Sequence, residues 1–212
     1  VGAVAEGAQL SLVDSSIRGS WPSEDGLNGF GVYALAGGEL SAERCELSDN
    51  TGAGIWLQNV GTTVSLIGSD ILDTGTSINQ QNGYGLIAWD GAEASVEGCR
   101  IAGNITGGIT VSDTGTVVTL RDTTVIETLT SRDGEQGWGV CVVEGATLRA
   151  ESCDLVGNSH FGLVVQDDGT EVAFLDSTIR DTVPALFGQW GFGVDVHSGA
   201  RLALDGCVLS HN

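Results

Sequence analysis

Lysine and methionine are missing from this chain of 212 residues, and proline occurs only at Pro22 and Pro184. All eight basic residues are arginines, set against 28 acidic ones, for a formal charge of −20. A surface so poor in positive charge excludes nucleic acid and anionic membrane as partners, since both bind through clustered cations. No run of ~18 apolar residues is present, so the sequence offers no membrane-spanning segment. Nor is there a leader with a basic start and an apolar middle. The chain opens at Val1 in a strand-like pattern and stops at Asn212 inside a repeat, which reads as a segment of something longer or as a processed product. Scarce proline beside 33 glycines separates it from Pro/Gly-rich disorder, because 41% of its residues are apolar and they are regularly spaced. The balance fits a soluble protein of the cell exterior or surface, or one that collects cations.

What the chain does have is a repeat. Gly7, Gly61, Gly115 and Gly169 are each 54 residues apart, as are Cys45, Cys99, Cys153 and Cys207, and Asn50, Asn104, Asn158 and Asn212. Each unit divides again. Gly-Ala-Gln-Leu-Ser-Leu-Val-Asp-Ser-Ser-Ile from Gly7 aligns with Gly-Gly-Glu-Leu-Ser-Ala-Glu-Arg-Cys-Glu-Leu from Gly37. The step is 30 residues from Gly7 to Gly37 and 24 from Gly37 to Gly61, so every second turn carries an insertion. Leu10 and Leu12, Val64 and Leu66, and Val118 and Leu120 alternate with polar residues at the period of a strand. A second strand follows a Gly-aromatic-Gly turn, as in Gly83-Tyr84-Gly85-Leu86-Ile87-Ala88. No 11-residue stretch keeps a helical stripe. Short strands, glycine corners and a fixed period predict one domain over residues 1–212, an all-β solenoid of about eight rungs stacked ~4.8 Å apart.

The period, the Gly-Ala/Thr-x-Leu/Val-x-Leu strand and the Asn closing each short rung resemble the right-handed parallel β-helix of the pectin-lyase-like superfamily, above all bacterial proteins built from parallel β-helix repeats. The resemblance covers the whole chain. It implies right-handed coiling, in line with the crossover rule for parallel strands, and favours contact with carbohydrate.

Stacked rungs put equivalent residues in columns. Leu10, Leu40, Val64, Ala94, Val118, Leu148, Val172 and Leu202 form one inward column, and Ile17, Leu47, Ile71, Ile101, Val125, Leu155, Ile179 and Leu209 another. The four repeated cysteines alternate with Ser15, Ser69, Thr123 and Ser177, which puts successive cysteines ~9.6 Å apart. A disulfide needs Cα atoms within about 7 Å, and zinc ligands converge to ~2.0–2.3 Å from the metal. Buried free thiols are therefore expected, with Cys141 as a mildly exposed exception on the outer side of its strand. The repeated Asn suits a corner, since it tolerates left-handed backbone and bonds neighbouring amides. That role leaves the Asn104-Ile105-Thr106 sequon accidental.

Chemistry has three places to sit. Four insertions, residues 21–28, 75–82, 129–136 and 183–190, share a position but no composition, and contribute Trp21, Glu24, Asp25 and Asp133 as candidate binding residues. The second strand turns Tyr33, Trp56 and Ile87 outward in one column, and Leu35 and Trp89 in the next, an apolar surface suited to stacking on sugar faces. Beside it runs Asn59, Asp90, Asp113, Glu144 and Asp167, with Asp168 next to the last. These are either solvated corners or the ligands of calcium, the one cofactor the sequence suggests.

Asp195 and His197 share an outward face and form the sole close acid–histidine pair on a strand. A superfamily lyase would need an acidic calcium cluster and a base, and a glycosidase two carboxylates. The Asn-Thr-Asp and Gly-His-Gly motifs are absent, and Arg-x-Lys is impossible without lysine. The preferred expectation is a non-catalytic extracellular or surface solenoid serving as spacer, adhesin or carbohydrate-contacting module, with a polysaccharide or surface protein as partner. Open strand edges predict association end to end or with further rungs. The alternative is a polysaccharide lyase, hydrolase or epimerase.

Overall fold

The computed structural model describes residues 1–22, 29–77, 82–132, 134, 136–185, 188 and 191–212. Among them lie 24 strands in three parallel sheets of eight. The first sheet, sheet A, stacks β1 (Ala3–Glu6), β4 (Val32–Leu35), β7 (Ala53–Gln58), β10 (Tyr84–Trp89), β13 (Gly107–Val111), β16 (Trp138–Val142), β19 (Phe161–Gln166) and β22 (Phe192–His197). Sheet B runs from β2 (Gln9–Val13) to β23 (Arg201–Asp205), and sheet C from β3 (Ser16–Arg18) to β24 (Val208–Ser210). One strand from each sheet makes a rung, and eight rungs make a rod of roughly 38 Å. The strands of sheet C are new relative to the sequence reading, which found two per turn. A three-residue strand has too little length to show alternation.

Both inward columns hold in register. Leu40 pairs with Leu10 and Val64, and Ile101 with Ile71 and Val125. With the inward residues of sheet A they form one continuous core, in which Leu66, Leu86, Ile101, Leu148 and Leu155 are completely buried.

The corners explain how each rung lands on the last. Between sheets B and C every rung has one left-handed residue: Asp14, Arg44, Gly68, Gly98, Asp122, Ser152, Asp176 and Gly206. That backbone is costly for a side-chain-bearing residue. The cost is offset because the same amide keeps the ladder running: Arg44 N–H donates to Ile67 O, and Asp122 N–H to Glu151 O. The cysteine column sits beside this corner. Cys45, Cys99 and Cys153 each donate Sγ–H to the carbonyl two residues back at 3.3 Å, as Ser69, Thr123 and Ser177 do with their hydroxyls. Those hydroxyls also accept from the Cys45, Cys99 and Cys153 amides. All five cysteines are free.

The repeated Asn works differently from expectation. The left-handed residue lies one position earlier, at Asp49, Gly103, Gly157 and His211. Asn acts through its side chain. Asn104 Oδ1 accepts from Thr74 N–H at 3.0 Å while Nδ2 donates to Ile71 O at 3.4 Å, and Asn50, Asn158 and Asn212 repeat both bonds. Asn104 is fully buried, which removes the sequon from the surface. The amide fits because the second glycine of each Gly-aromatic-Gly motif has no side chain. A Cβ on Gly85 would lie 2.6 Å from both Gly108 O and Ile101 Cγ2, and 2.9 Å from Asn104 Nδ2.

Two substitutions test this corner. Asn104→Ala leaves a buried amide and a buried carbonyl unbonded and is expected to cost about 2–4 kcal/mol. Gly85→Ala forces backbone apart between rungs and is expected to cost at least about 1–3 kcal/mol. Both are read as a lower urea midpoint at unchanged pH.

Candidate functional site

The outer face of sheet A carries the candidate residues, and backbone pairing brings them together. Tyr33 pairs with Trp56, Trp56 with Ile87, and Ile87 with Thr110. The column continues through Cys141 and Val164 to Asp195. Leu35, Gln58 and Trp89 form the adjoining column. Trp56 and Trp89 meet edge to face at 5.7 Å, and Trp56 Nε1 donates to Gln58 Oε1 at 3.0 Å.

A third ring column escaped the sequence reading. Phe30, Tyr84, Trp138 and Phe192 are the central residues of the Gly-aromatic-Gly motifs, again 54 residues apart. Their recurrence was the signal, and reading the motif only as a turn hid it. In the short rungs the same position holds Ala53, Gly107 and Phe161. The small residues make room for rings: a Cβ on Gly107 would sit 3.0 Å from Tyr84 Cδ1. Phe30 stacks on Trp56 at 4.6 Å and meets Tyr33 edge to face at 5.4 Å, while Phe161 tilts against Phe192 at 5.9 Å. Exposure rises along the column, from 3% at Phe30 through half-buried Tyr84, Trp138 and Phe161 to 49% at Phe192.

The middle of this face is more enclosed than strand alternation suggests. Thr110, Cys141 and Val164 are buried, Cys141 at 3% exposure. This corrects the expectation of an exposed thiol. Burial pushes the Cys141 thiol up to about 12, helped by the charge of Asp167. Burial likewise raises the Tyr84 phenol, with Cys141 as the second cause. Two buried polar atoms on this face have no hydrogen-bond partner, Thr110 Oγ1 and Trp89 Nε1. Of the insertion candidates, Trp21 is 80% exposed. Glu24, Asp25 and Asp133 lie outside the described residues.

The acidic column follows sheet A at the corner leading to sheet B. Asn59, Asp90, Asp113, Glu144 and Asp167 all have left-handed backbone, which places them in one register, with Asp168 one residue beyond. Here the side chain replaces the backbone carbonyl as acceptor. Ala36 N–H donates to Asn59 Oδ1, Asp90 N–H to Asp113 Oδ2, and Glu144 N–H to Asp167 Oδ2. Asp90 Oδ2 in turn accepts from Asn59 Nδ2 at 2.6 Å, and Glu144 accepts from Ser112 Oγ. Among the described residues no three His, Cys, Asp or Glu side chains converge as a metal site.

Asp195 and His197 also come together, at 3.6 Å between Oδ2 and Nε2, and His197 Nδ1 lies 2.9 Å from Ser198 Oγ. Asp195 is half-buried, and His197 and Ser198 stand in solvent on the last rung. On sheet B, two adjoining open cavities of about 500 and 530 Å³ share Ser95 and Thr119 as floor. Neither holds an aromatic ring other than the inward Phe174.

Three parallel sheets, one strand of each per rung, meet a matching family model for the right-handed β-helix region over residues 2–134. The chain belongs to the right-handed β-helix family. Comparison with curated proteins and with solved structures returns no match. In this β-helix the ladder is uniform, and variation concentrates on the outer faces and in the insertions.

Thiol accessibility checks the enclosure of sheet A. At pH 8 Cys141 is buried and protonated, Cys45, Cys99 and Cys153 are buried, and Cys207 alone is half-buried. A thiol reagent on the native protein is expected to label Cys207 first and Cys141 only on unfolding, read by mass spectrometry of peptides. Because the Cys141 pKa is raised in the fold, native stability is expected to hold below pH ~9 and to fall as pH climbs toward 12.

Proposed function

We propose that this β-helix is a non-catalytic module of the cell exterior, secreted or held at a surface, which acts as a rigid spacer and contacts carbohydrate through the outer face of sheet A. The observation that carries this reading is the collection of rings on that one face, with Tyr33, Trp56, Trp89, Tyr84 and Trp138 all partly open to solvent. Rings on a rigid platform lose little freedom on binding, and the faces of pyranose sugars are apolar enough to stack on them. The other outer faces offer charged residues and small hydroxyls, with no comparable apolar surface. The charge of −20 keeps such a rod soluble and steers it away from anionic membrane and nucleic acid.

The two ends supply a second contact. Within these residues β1 and β22 each have a single strand neighbour, as do β2 and β23, and β3 and β24. Val208 and Leu209 on the last rung are exposed, although Leu209 belongs to an inward column. Unpaired edges beside open apolar residues favour rung-on-rung pairing. Light scattering on the 212-residue protein is expected to show mass rising with concentration, and a monomer at all concentrations would remove this part of the reading.

Binding to insoluble and soluble polysaccharides, measured by co-sedimentation and calorimetry, tests the main claim. Trp89→Ala and Trp56→Ala are each expected to weaken retention by roughly tenfold, the size of one aromatic contact. A second reading, a polysaccharide-cleaving enzyme, draws on the Asp195–His197–Ser198 constellation. Unsaturated products or new reducing ends from acidic glycans, abolished in Asp195→Ala or His197→Ala, would favour it over the binding module.

A further inference from the structure

We propose that the glycan held on sheet A is cationic: an extended β-1,4-linked polymer of amino sugars with free amines. This rests on the carbohydrate reading and adds the charge and the linkage.

The charge comes from the corner beside the rings. Asp90, Asp113 and Glu144 directly border the Trp89 column, and each has one carboxylate oxygen fixed by a hydrogen bond within the corner. The second oxygen of each has no protein partner among the described residues. Asp113 accepts from the Asp90 amide, which holds the row rigid along the rod. No arginine pairs with this row among the described residues. Arg18 pairs with Glu46, Arg44 with Asp14, Arg121 with Glu151, Arg180 with Asp181 and Arg201 with Glu171, all on or beside sheets B and C. An uncompensated acidic row next to aromatic rings is complementary to an ammonium-bearing ring: the rings take its apolar face and attract the cation, and the carboxylates pair with the amine.

The second observation is independent of that charge. Thr110 is more than nine-tenths buried on the outer side of sheet A, beside Tyr84, and its Oγ1 has no partner. The Trp89 indole N–H, on the same face and one rung away, is also without one. Buried polar groups are rarely left unbonded, and a hydroxyl-rich ligand at this face supplies what they lack. The linkage follows from spacing. Tyr84, Trp138 and Phe192 recur every second rung, about 9.6 Å. In an extended β-1,4-linked chain alternate sugars are flipped, so the same face returns after two sugars, close to two strand spacings (~9.6 Å). A lysine-rich peptide shares the charge and lacks the flat rings.

Calorimetry on the 212-residue protein tests the assignment with four probes: a β-1,4-linked glucosamine oligomer, its fully N-acetylated form, a galacturonate oligomer and an oligolysine of equal charge. The glucosamine oligomer is expected to bind at least about tenfold more tightly than the other three, and to weaken as salt rises from ~0.05 to ~0.5 M. The Asp90→Asn/Asp113→Asn variant keeps the side-chain acceptors of the corner, and its urea midpoint confirms an intact fold. It is expected to lose that preference while retaining weak binding, whereas Trp89→Ala weakens both amino-sugar probes by about tenfold. Equal binding of the acetylated and free-amine oligomers, with both sensitive to Trp89→Ala, overturns the cationic assignment and leaves the carbohydrate reading standing. Tight oligolysine binding indifferent to Trp89→Ala overturns it in favour of a basic peptide. No binding of any sugar overturns both.

Discussion

Everything in this molecule depends on the parallel backbone ladder between rungs. A solenoid has no other long-range contact, because each rung touches only its neighbours, so the ladder has to continue around the corners as well as along the strands. Left-handed residues at every corner between sheets B and C, and at every corner after sheet C, make that possible. They turn the chain while leaving its amide pointing at the carbonyl one rung along. The conformational cost at Asp14, Arg44 or Asp122 is therefore tied to a hydrogen bond that no other geometry would provide.

Where the backbone alone does not close the ladder, side chains complete it, and they do so at the interval of the repeat. The Asn column bridges each short rung to the long rung before it through both ends of its amide. Thr62, Thr116 and Thr170 do the same at the corner after sheet A, each accepting from a glycine amide of the preceding rung, and Thr62 and Thr170 also donate to a carbonyl four residues back. The acidic column accepts the next amide along. The alternation of plain and inserted rungs thus has a mechanical basis. Short rungs supply the clamps, and long rungs supply the insertions that the clamps hold.

This division explains what was legible in the sequence. Leu40, Ile101 and their columns could be read because a buried position in a ladder has to be filled the same way eight times. The absence of disulfides followed from rung spacing, and the polar role of the cysteine column from its alternation with serine. Less legible was anything that depends on a side chain crossing between rungs. Asn50 was placed at the right corner for a backbone reason when its side-chain amide is what matters. Cys141 was placed on the right face, yet alternation along a strand says nothing of what lies over that face. The ring column of Phe30, Tyr84, Trp138 and Phe192 was present as a repeat but masked by the glycines on either side. Those glycines serve the Asn pocket on the inside of the corner, so one motif carries an inward and an outward task.

The same motif links the fold to the candidate site. Gly85 has no Cβ because the Asn104 amide and the Gly108 carbonyl occupy its space, which brings adjacent rungs close at the start of sheet A. Gly107 has room only for hydrogen because the Tyr84 ring lies against it. A rung-to-rung clamp on the inside thus fixes the spacing of rings on the outside, and the acidic corner at the other end of the same strands is held by its own hydrogen bonds. The rings and carboxylates are consequently preorganised by the elements that stabilise the rod. Loosening either edge of sheet A would disorder the contact surface before it unfolded the core, which is why stability at the Asn corner and binding at the rings belong to one physical system.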